Sequence, residues 1–418
     1  MNTARLTWRE GTAYGLLGLP LAFVALPLYV VLPNHYAREF GMPLAALGLL
    51  LLGARLMDAL IDPLIGRLVD RLFARSVHAV LAVAGLAAAV LAFGFVGLFF
   101  PPVTTGQALW VWALAALMLT YAAYSLLSVT HQAWGAMLGG DEARRSRIVA
   151  WREGLGLLGV LTASVLPSLA GLGWTAGLFA GLLALGCWAW TRAPRPHAQP
   201  QAGPTRLWAP WQQPAFRRLI GVFLLNGIAS AIPATLVLFF IQDRLRAPAE
   251  MEPAFLGSYF LAAALSIPVW LRLVARIGLA RSWLVGMALA VSVFVGASTL
   301  GAGDTLPFLI VCALSGVALG ADLALPSALL AGVIAHAGDQ GRGEGAYFGW
   351  WNFASKLNLA LAAGLALPVL GLFGYAPGSR DPQALSALVT AYCLLPCALK
   401  LLAAASLYFL ILRNRGLP

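Results

Sequence analysis

Long apolar runs, broken by short charged clusters, dominate the chain. Twelve apolar segments can be drawn, at roughly 12–33, 43–66, 77–100, 107–138, 148–171, 173–191, 216–241, 254–274, 282–300, 305–335, 344–374 and 384–412. Each comes near or exceeds the about 20 residues that an α-helix needs to cross a bilayer. In hydrocarbon the backbone has no water to bond, and a helix satisfies its polar groups internally. The pattern therefore predicts an all-α membrane protein. The longest non-apolar stretch, 192–214, is rich in Pro and Gln and falls at the midpoint. It reads as a cytoplasmic linker between a six-helix bundle at 1–191 and a second at 215–418. The halves also echo one another. Arg67-Leu68-Val69-Asp70-Arg71 recurs as Arg272-Leu273-Val274-Ala275-Arg276, each after the second segment of its half and each followed by Ala-Arg-Ser. A matched sequence at a matched place predicts two pseudo-symmetric bundles.

Composition agrees. Of 418 residues, 61% are apolar and 10% charged, against roughly a quarter charged in a soluble globule. A water-soluble globule and a disordered chain are both excluded. The net charge of +11 comes from 25 Arg and two Lys set in short clusters between apolar runs. That is a topology signal, and no nucleic-acid partner is expected. With the N-terminus inside, twenty Arg fall in inside segments, Arg5 and Arg415 among them, and four fall outside: Arg38, Arg244, Arg246 and Arg380. The asymmetry predicts an inner-membrane protein with both termini cytoplasmic. The first apolar run is too long for a signal peptide and no A-x-A site follows it, so it reads as a retained helix. Cys187, Cys312, Cys393 and Cys397 all lie within apolar runs and read as reduced packing residues. No phosphate-binding or zinc-protease motif is present, and the GxGD at 301–304 falls in an outside loop with no Tyr-Asp pair in the chain. Neither an enzyme nor a cofactor or resident metal is expected.

Ionisable residues inside apolar segments are costly and are functional candidates. The second segment carries Arg55, Asp58 and Asp62, whose spacing puts all three on one helical face. Pro63 follows and removes the N–H that the Ala59 carbonyl would normally accept. Two carboxylates and a carbonyl suit a hard cation or a proton, whereas a structural Arg–Asp pair needs only one acid. Asp322 lies 14 residues before His336 and Lys356 lies 14 after Arg342, so both sit about 21 Å from one level. That predicts an Asp322–Lys356 pair. Arg55, Asp58, Asp62, Asp322 and Lys356 sum to one surplus negative charge, which a cation or proton would neutralise. Lys400 also lies in an apolar segment and has no part in this count.

Other candidates are weaker. Arg152 and Glu153 are expected to open the fifth helix near the cytoplasmic surface, as a gate, a capping pair or interfacial anchors. In the fourth segment, Tyr124, Ser125, Ser128 and Trp134 are substrate candidates. The hydroxyls at 125 and 128 share a face, although Ser and Thr are also ordinary packing residues in membranes. His131 is either a proton carrier or a hydrogen-bonded helix-end residue. Trp351 and Asn352, just before Lys356, suit sugar stacking or membrane anchoring.

At these residues the chain resembles a known family. Gly66-x-x-x-Asp70-Arg71-x-x-x-Arg75 resembles the loop motif of the major facilitator superfamily, which implies a gating role for Asp70, Arg71 and Arg75. ARLMDALIDPLIGRLVDR and GADLALPSALLAGVIAHAGDQGRGEGAYFGWWNFASKLN resemble the glycoside–pentoside–hexuronide:cation symporters, the melibiose permease group; YSLLSVTHQAWGAML fits more loosely. The resemblance implies that Asp58 and Asp62 bind the coupling cation, that Arg55 and Lys356 share its charged network, and that Tyr124 lies in the sugar site. Three departures matter. Leu21-Ala22-Phe23 and Ser128 stand where melibiose carriers have acids, which argues against a melibiose-like sugar. Ile61 replaces an Asn between the helix II acids, which favours a proton over sodium. Asp322 is a candidate replacement carboxylate.

The expected protein is thus a twelve-helix, cation-coupled secondary transporter of a small molecule, working as a monomer in the lipid bilayer by alternating access. A sugar or glycoside is the expected substrate. A lysophospholipid or other amphiphile, or a non-transporting sensor on the same scaffold, are the alternatives.

Overall fold

The computed structural model describes residues 6–196, 206–372, 374–376 and 378–413. The centre of the expected linker, 197–205, and Arg5 and Arg415 lie outside the described residues. Twelve long helices follow one another. They are α1 Trp8–Glu39, α2 Leu44–Arg75, α3 Val77–Phe99, α4 Gly106–Met137, α5 Glu142–Pro167 and α6 Leu169–Trp190. Then come α7 Pro214–Arg244, α8 Glu252–Ile277, α9 Leu279–Ala297, α10 Thr305–His336, α11 Glu344–Leu372 and α12 Pro382–Leu412. Among the described residues, ten of these, all but α2 and α11, are long and apolar enough to cross a membrane by length and composition alone.

The breaks have local causes. Ser76, in extended conformation, ends α2, and its side chain accepts the Ala79 N–H to cap α3. Gly171 at φ 79° breaks the helical backbone in the first turn of α6. Gly278 at φ 83° separates α8 from α9. Both lie in the left-handed region that glycine enters without a Cβ clash. Within α1, Pro27 opens a π-helical turn, Pro27–Val31, because its missing N–H interrupts the α ladder. The expected fifth segment began at 148, but Asp141 caps the Arg144 N–H and α5 starts at Glu142. Arg152 and Glu153 therefore lie ten residues inside the helix, about 15 Å along it, and not at its opening.

By packing, the chain divides into two units. One holds Met1–Pro210 with Ile334–Phe353, the other Trp211–Val333 with Ala354–Pro418. In the first, α4 packs on α2 and α3, and α5–α6 pack on α1. In the second, α12 packs on α7 and α9, and α8 on α9. The repeated pentapeptides occupy matched places at the ends of α2 and α8. Their registers differ, since Ser76 caps α3 while Ser282 already lies inside α9.

Helix α2 is turned inside out relative to a soluble helix. Leu49, Leu52, Leu56, Leu60 and Leu64 are exposed, from 47 to 72%, whereas Asp58 and Asp62 are buried at 2% and 0%. Such a helix is stable only where the outer medium is hydrocarbon, which makes an exposed leucine cheap and an exposed carboxylate expensive.

Candidate transport site

The first unit gathers its polar residues around α2. Asp58 Oδ1 accepts the Ser125 hydroxyl of α4 at 2.8 Å. Tyr124, the neighbour of Ser125, lies within electrostatic range of Asp58, Asp62, Arg152 and Glu153. Arg152 and Glu153 form an ion pair through the guanidinium Nε, 2.9 Å from Oε1. The Arg55 guanidinium sits 3.9 Å from the Tyr29 ring centroid and contacts the Tyr121 side chain. The first is a cation–π contact with α1.

One turn further along α4, Gln132 Nε2 donates to Ser128 Oγ at 2.9 Å and to Asn352 Oδ1 at 3.2 Å. Gln132 thus joins two expected substrate residues, and the sequence reading gave it no role. Its signal was the i, i+4 spacing from Ser128 on the same face. One expectation is corrected. Trp134 is fully buried, donates its indole N–H to Pro194 O at 2.9 Å, and packs against Phe73 and Trp190. It is wall rather than binding surface. His131 is also fully buried, with Nε2 2.7 Å from Tyr14 O and its ring 4.4 Å from that of Tyr14. A backbone carbonyl only accepts, so Nε2 carries the hydrogen. This fixed bond makes the histidine structural. Trp351 is buried at 4% exposure.

The expected gating residues separate by position. Asp70 is buried and accepts the Gly345 and Ala346 N–H groups at 2.7 and 2.9 Å. These lie at the start of α11, where unpaired N–H groups and the helix dipole favour a negative charge. Arg71 and Arg75 are exposed. Below Asp70 the two helices cross on glycine. A Cβ on Gly66 would stand 2.2 Å from Gly345 O, and one on Gly349 2.7 Å from Asp62 O. Any side chain there would separate α2 from α11. In the echo, Ala275 takes the place of Asp70 and offers no acceptor.

The second unit corrects the largest expectation. Asp322 does not wait for Lys356 as its ion-pair partner; it pairs with Lys400 of α12 at 2.8 Å. Lys400 Nζ also donates to Asn226 Oδ1 at 2.8 Å and Ser230 Oγ at 3.0 Å. Asp322 further accepts from Asn226, Ser230 and Trp283 at 2.9–3.2 Å. α7 and α9 bring these neutral donors together with the charges of α10 and α12. The reason is depth. Lys400 lies 13 residues before Arg413, roughly 20 Å from the same level as Asp322. Adding Lys400 to the count also removes the surplus negative charge, leaving three acids and three bases. The expectation of cation binding then rests on the two like charges of α2, not on a net sum.

The fold is that of a membrane protein with buried charge gathered on helix faces, and its family makes it a transporter and not an enzyme. The chain belongs to the MFS/sugar transport protein family, whose profile matches residues 12–414. A stretch of 162 residues is 30% identical to the putative glycoside/cation symporter YagG of Escherichia coli (strain K12), covering 38% of this chain and 35% of that protein. The glucuronide carrier protein homolog of the same organism is 24% identical over 442 aligned positions, 98% of this chain and 94% of the relative. The fold is similar to that of a bacterial homologue of iron transporter ferroportin in outward-facing state. That likeness has a TM-score of 0.72 and 17% identity, covering 96% of this chain and 99% of the other. These matches agree with the glycoside–pentoside–hexuronide:cation symporter motifs in the sequence.

Proposed function

We propose that this chain is a cation-coupled symporter of a sugar or glycoside, held in the bacterial inner membrane with both termini cytoplasmic. A proton, or failing that sodium, is taken by Asp58 and Asp62. Tyr124, Ser125, Ser128, Gln132 and Asn352 serve the polar substrate, and Asp70 holds the start of α11. The observation that supports this reading best is the pair of buried carboxylates one helical turn apart on α2, with a hydroxyl of α4 bonded to the first. Two acids so placed repel one another when both are charged. Loading a cation between them relieves the repulsion, and unloading restores it, so the charge state of α2 can be tied to the carrier's change of conformation. The names of the two relatives, a glycoside/cation symporter and a glucuronide carrier homolog, point to the same substrate class.

The test is uptake into proteoliposomes of a panel of labelled glycosides and hexuronides, with an imposed pH gradient, a sodium gradient or neither. Accumulation above the outside concentration with the pH gradient alone supports the proton. Accumulation only with sodium reassigns the ion, and accumulation independent of both defeats the coupling.

A further inference from the structure

The second unit contains a cavity of about 180 Å³ among α7, α8, α9, α10 and α12. Its walls are mostly apolar and rich in rings: Phe255, Tyr259, Phe260, Phe294 and Tyr392 line it. Its polar wall is formed by Ser230, Asp322 and Lys400. An ammonium has three hydrogens to give, and those of Lys400 go to Asn226, Ser230 and Asp322. Each Asp322 oxygen accepts twice, Oδ1 from Asn226 and Trp283, Oδ2 from Ser230 and Lys400. Ser315, also on the wall, gives its hydrogen to Cys312 O at 3.0 Å. The charged pair and the two serines of the wall have thus given their hydrogens within the protein, the wall is electrically neutral, and the Tyr259 and Tyr392 hydroxyls are its other polar groups.

This wall selects the ligand. An anion would have to draw Lys400 from Asp322, and a cation would have to draw Asp322 from Lys400. Either would leave a charge uncompensated in an apolar surrounding. A polyhydroxylated sugar would find few free partners for its hydroxyls. An apolar ring meets none of these penalties and gains offset contacts with five aromatic side chains. The size agrees, since a protein cavity of about 150 Å³ admits benzene. We infer that the second unit carries its own binding site for one uncharged aromatic ring, with the Asp322–Lys400 pair as a neutral wall and not as a charged receptor.

Two native cysteines report on it. Cys312 and Cys397 line the cavity, while Cys187 lies in the first unit. The experiment uses the full chain in lipid nanodiscs, treated with a small thiol-alkylating reagent at pH 7 and mapped by mass spectrometry. Phenol should slow modification of Cys312 and Cys397 at least fivefold and leave Cys187 unchanged. Benzoate and benzylammonium should need tenfold higher concentrations for the same protection. Asp322→Asn with Lys400→Met keeps the wall neutral and should keep the phenol effect. Ala318→Phe fills the cavity and should abolish the rise in melting temperature that phenol gives the wild type. Phenyl β-glucoside separates two sources of a ring. Protection by it as well as by phenol marks the aglycone of a glycoside; protection by phenol alone marks a free aromatic compound. No protection by phenol, equal or better protection by benzoate or benzylammonium, or protection by methyl β-glucoside would overturn the assignment.

Discussion

On α10 and α12, Asp322 and Lys400 meet at 2.8 Å, with Asn226, Ser230 and Trp283 completing their hydrogen bonds. On α2, Asp58 and Asp62 stand acid beside acid within one turn, both buried. Both regions place carboxylates where water is scarce. The first balances its charge with a resident partner on another helix. The second sets like charges together on one helix face, with the Ser125 hydroxyl bonded to the first of them. Opposite charges resolved within the protein make a fixed element. Like charges on one face make an element that a bound cation would stabilise. A buried acid is thus not by itself a coupling residue, and its immediate company decides which kind it is.

The comparison can be broken experimentally. The largest effect is expected at Lys400→Met, which strands Asp322 and should destabilise the protein by about 3–5 kcal/mol. Asp322→Asn on top of it should recover most of that loss, measured by chemical unfolding. The same second change should rescue nothing in Lys356→Ala. Rescue of Lys356→Ala by Asp322→Asn would put the pairing back where the sequence first suggested it.

Next is Ser125→Ala. Loss of a hydroxyl bonded to an ionised carboxylate is worth about 1.5–3 kcal/mol. Because the hydroxyl favours the charged carboxylate, its loss should shift the ion dependence of uptake roughly 10- to 100-fold, toward tighter binding where the coupling ion is a proton, while stability changes little. A melting temperature that falls with no shift in ion dependence would make Ser125 a packing residue. The smallest effect should come from Trp283→Phe. It removes one of four donors to Asp322 and should destabilise by about 1–2 kcal/mol with uptake and ion dependence unchanged.

Much of this was legible in the sequence, and the failures are specific. The helices follow from apolar runs because hydrocarbon allows no other economical backbone, and their ends follow from residues such as Ser76 and Gly278. Asp58 and Asp62 stood out because a structural Arg–Asp pair needs only one acid and this run holds two. Asp322 was found but given the wrong partner. Depth along a helix is readable from residue counts, whereas azimuth, which helix faces which, is not. The same count would have placed Lys400 level with Asp322, had α12 been included. Arg152 was misplaced because an apolar window cannot see that Asp141 starts α5 six residues early. Trp134 and His131 were ambiguous by nature, since a ring in a helix looks the same in sequence whether it lines a site or fills a wall.

The central claim is that the α2 acids take the coupling ion, and Asp58→Asn tests it most directly. Proteoliposomes carrying wild type or Asp58→Asn should be compared for gradient-driven accumulation and for exchange of labelled against unlabelled substrate at equal concentrations. The account predicts that Asp58→Asn loses accumulation above equilibrium and keeps exchange within a few-fold of wild type. Full accumulation by the Asn variant under the same gradient would contradict it.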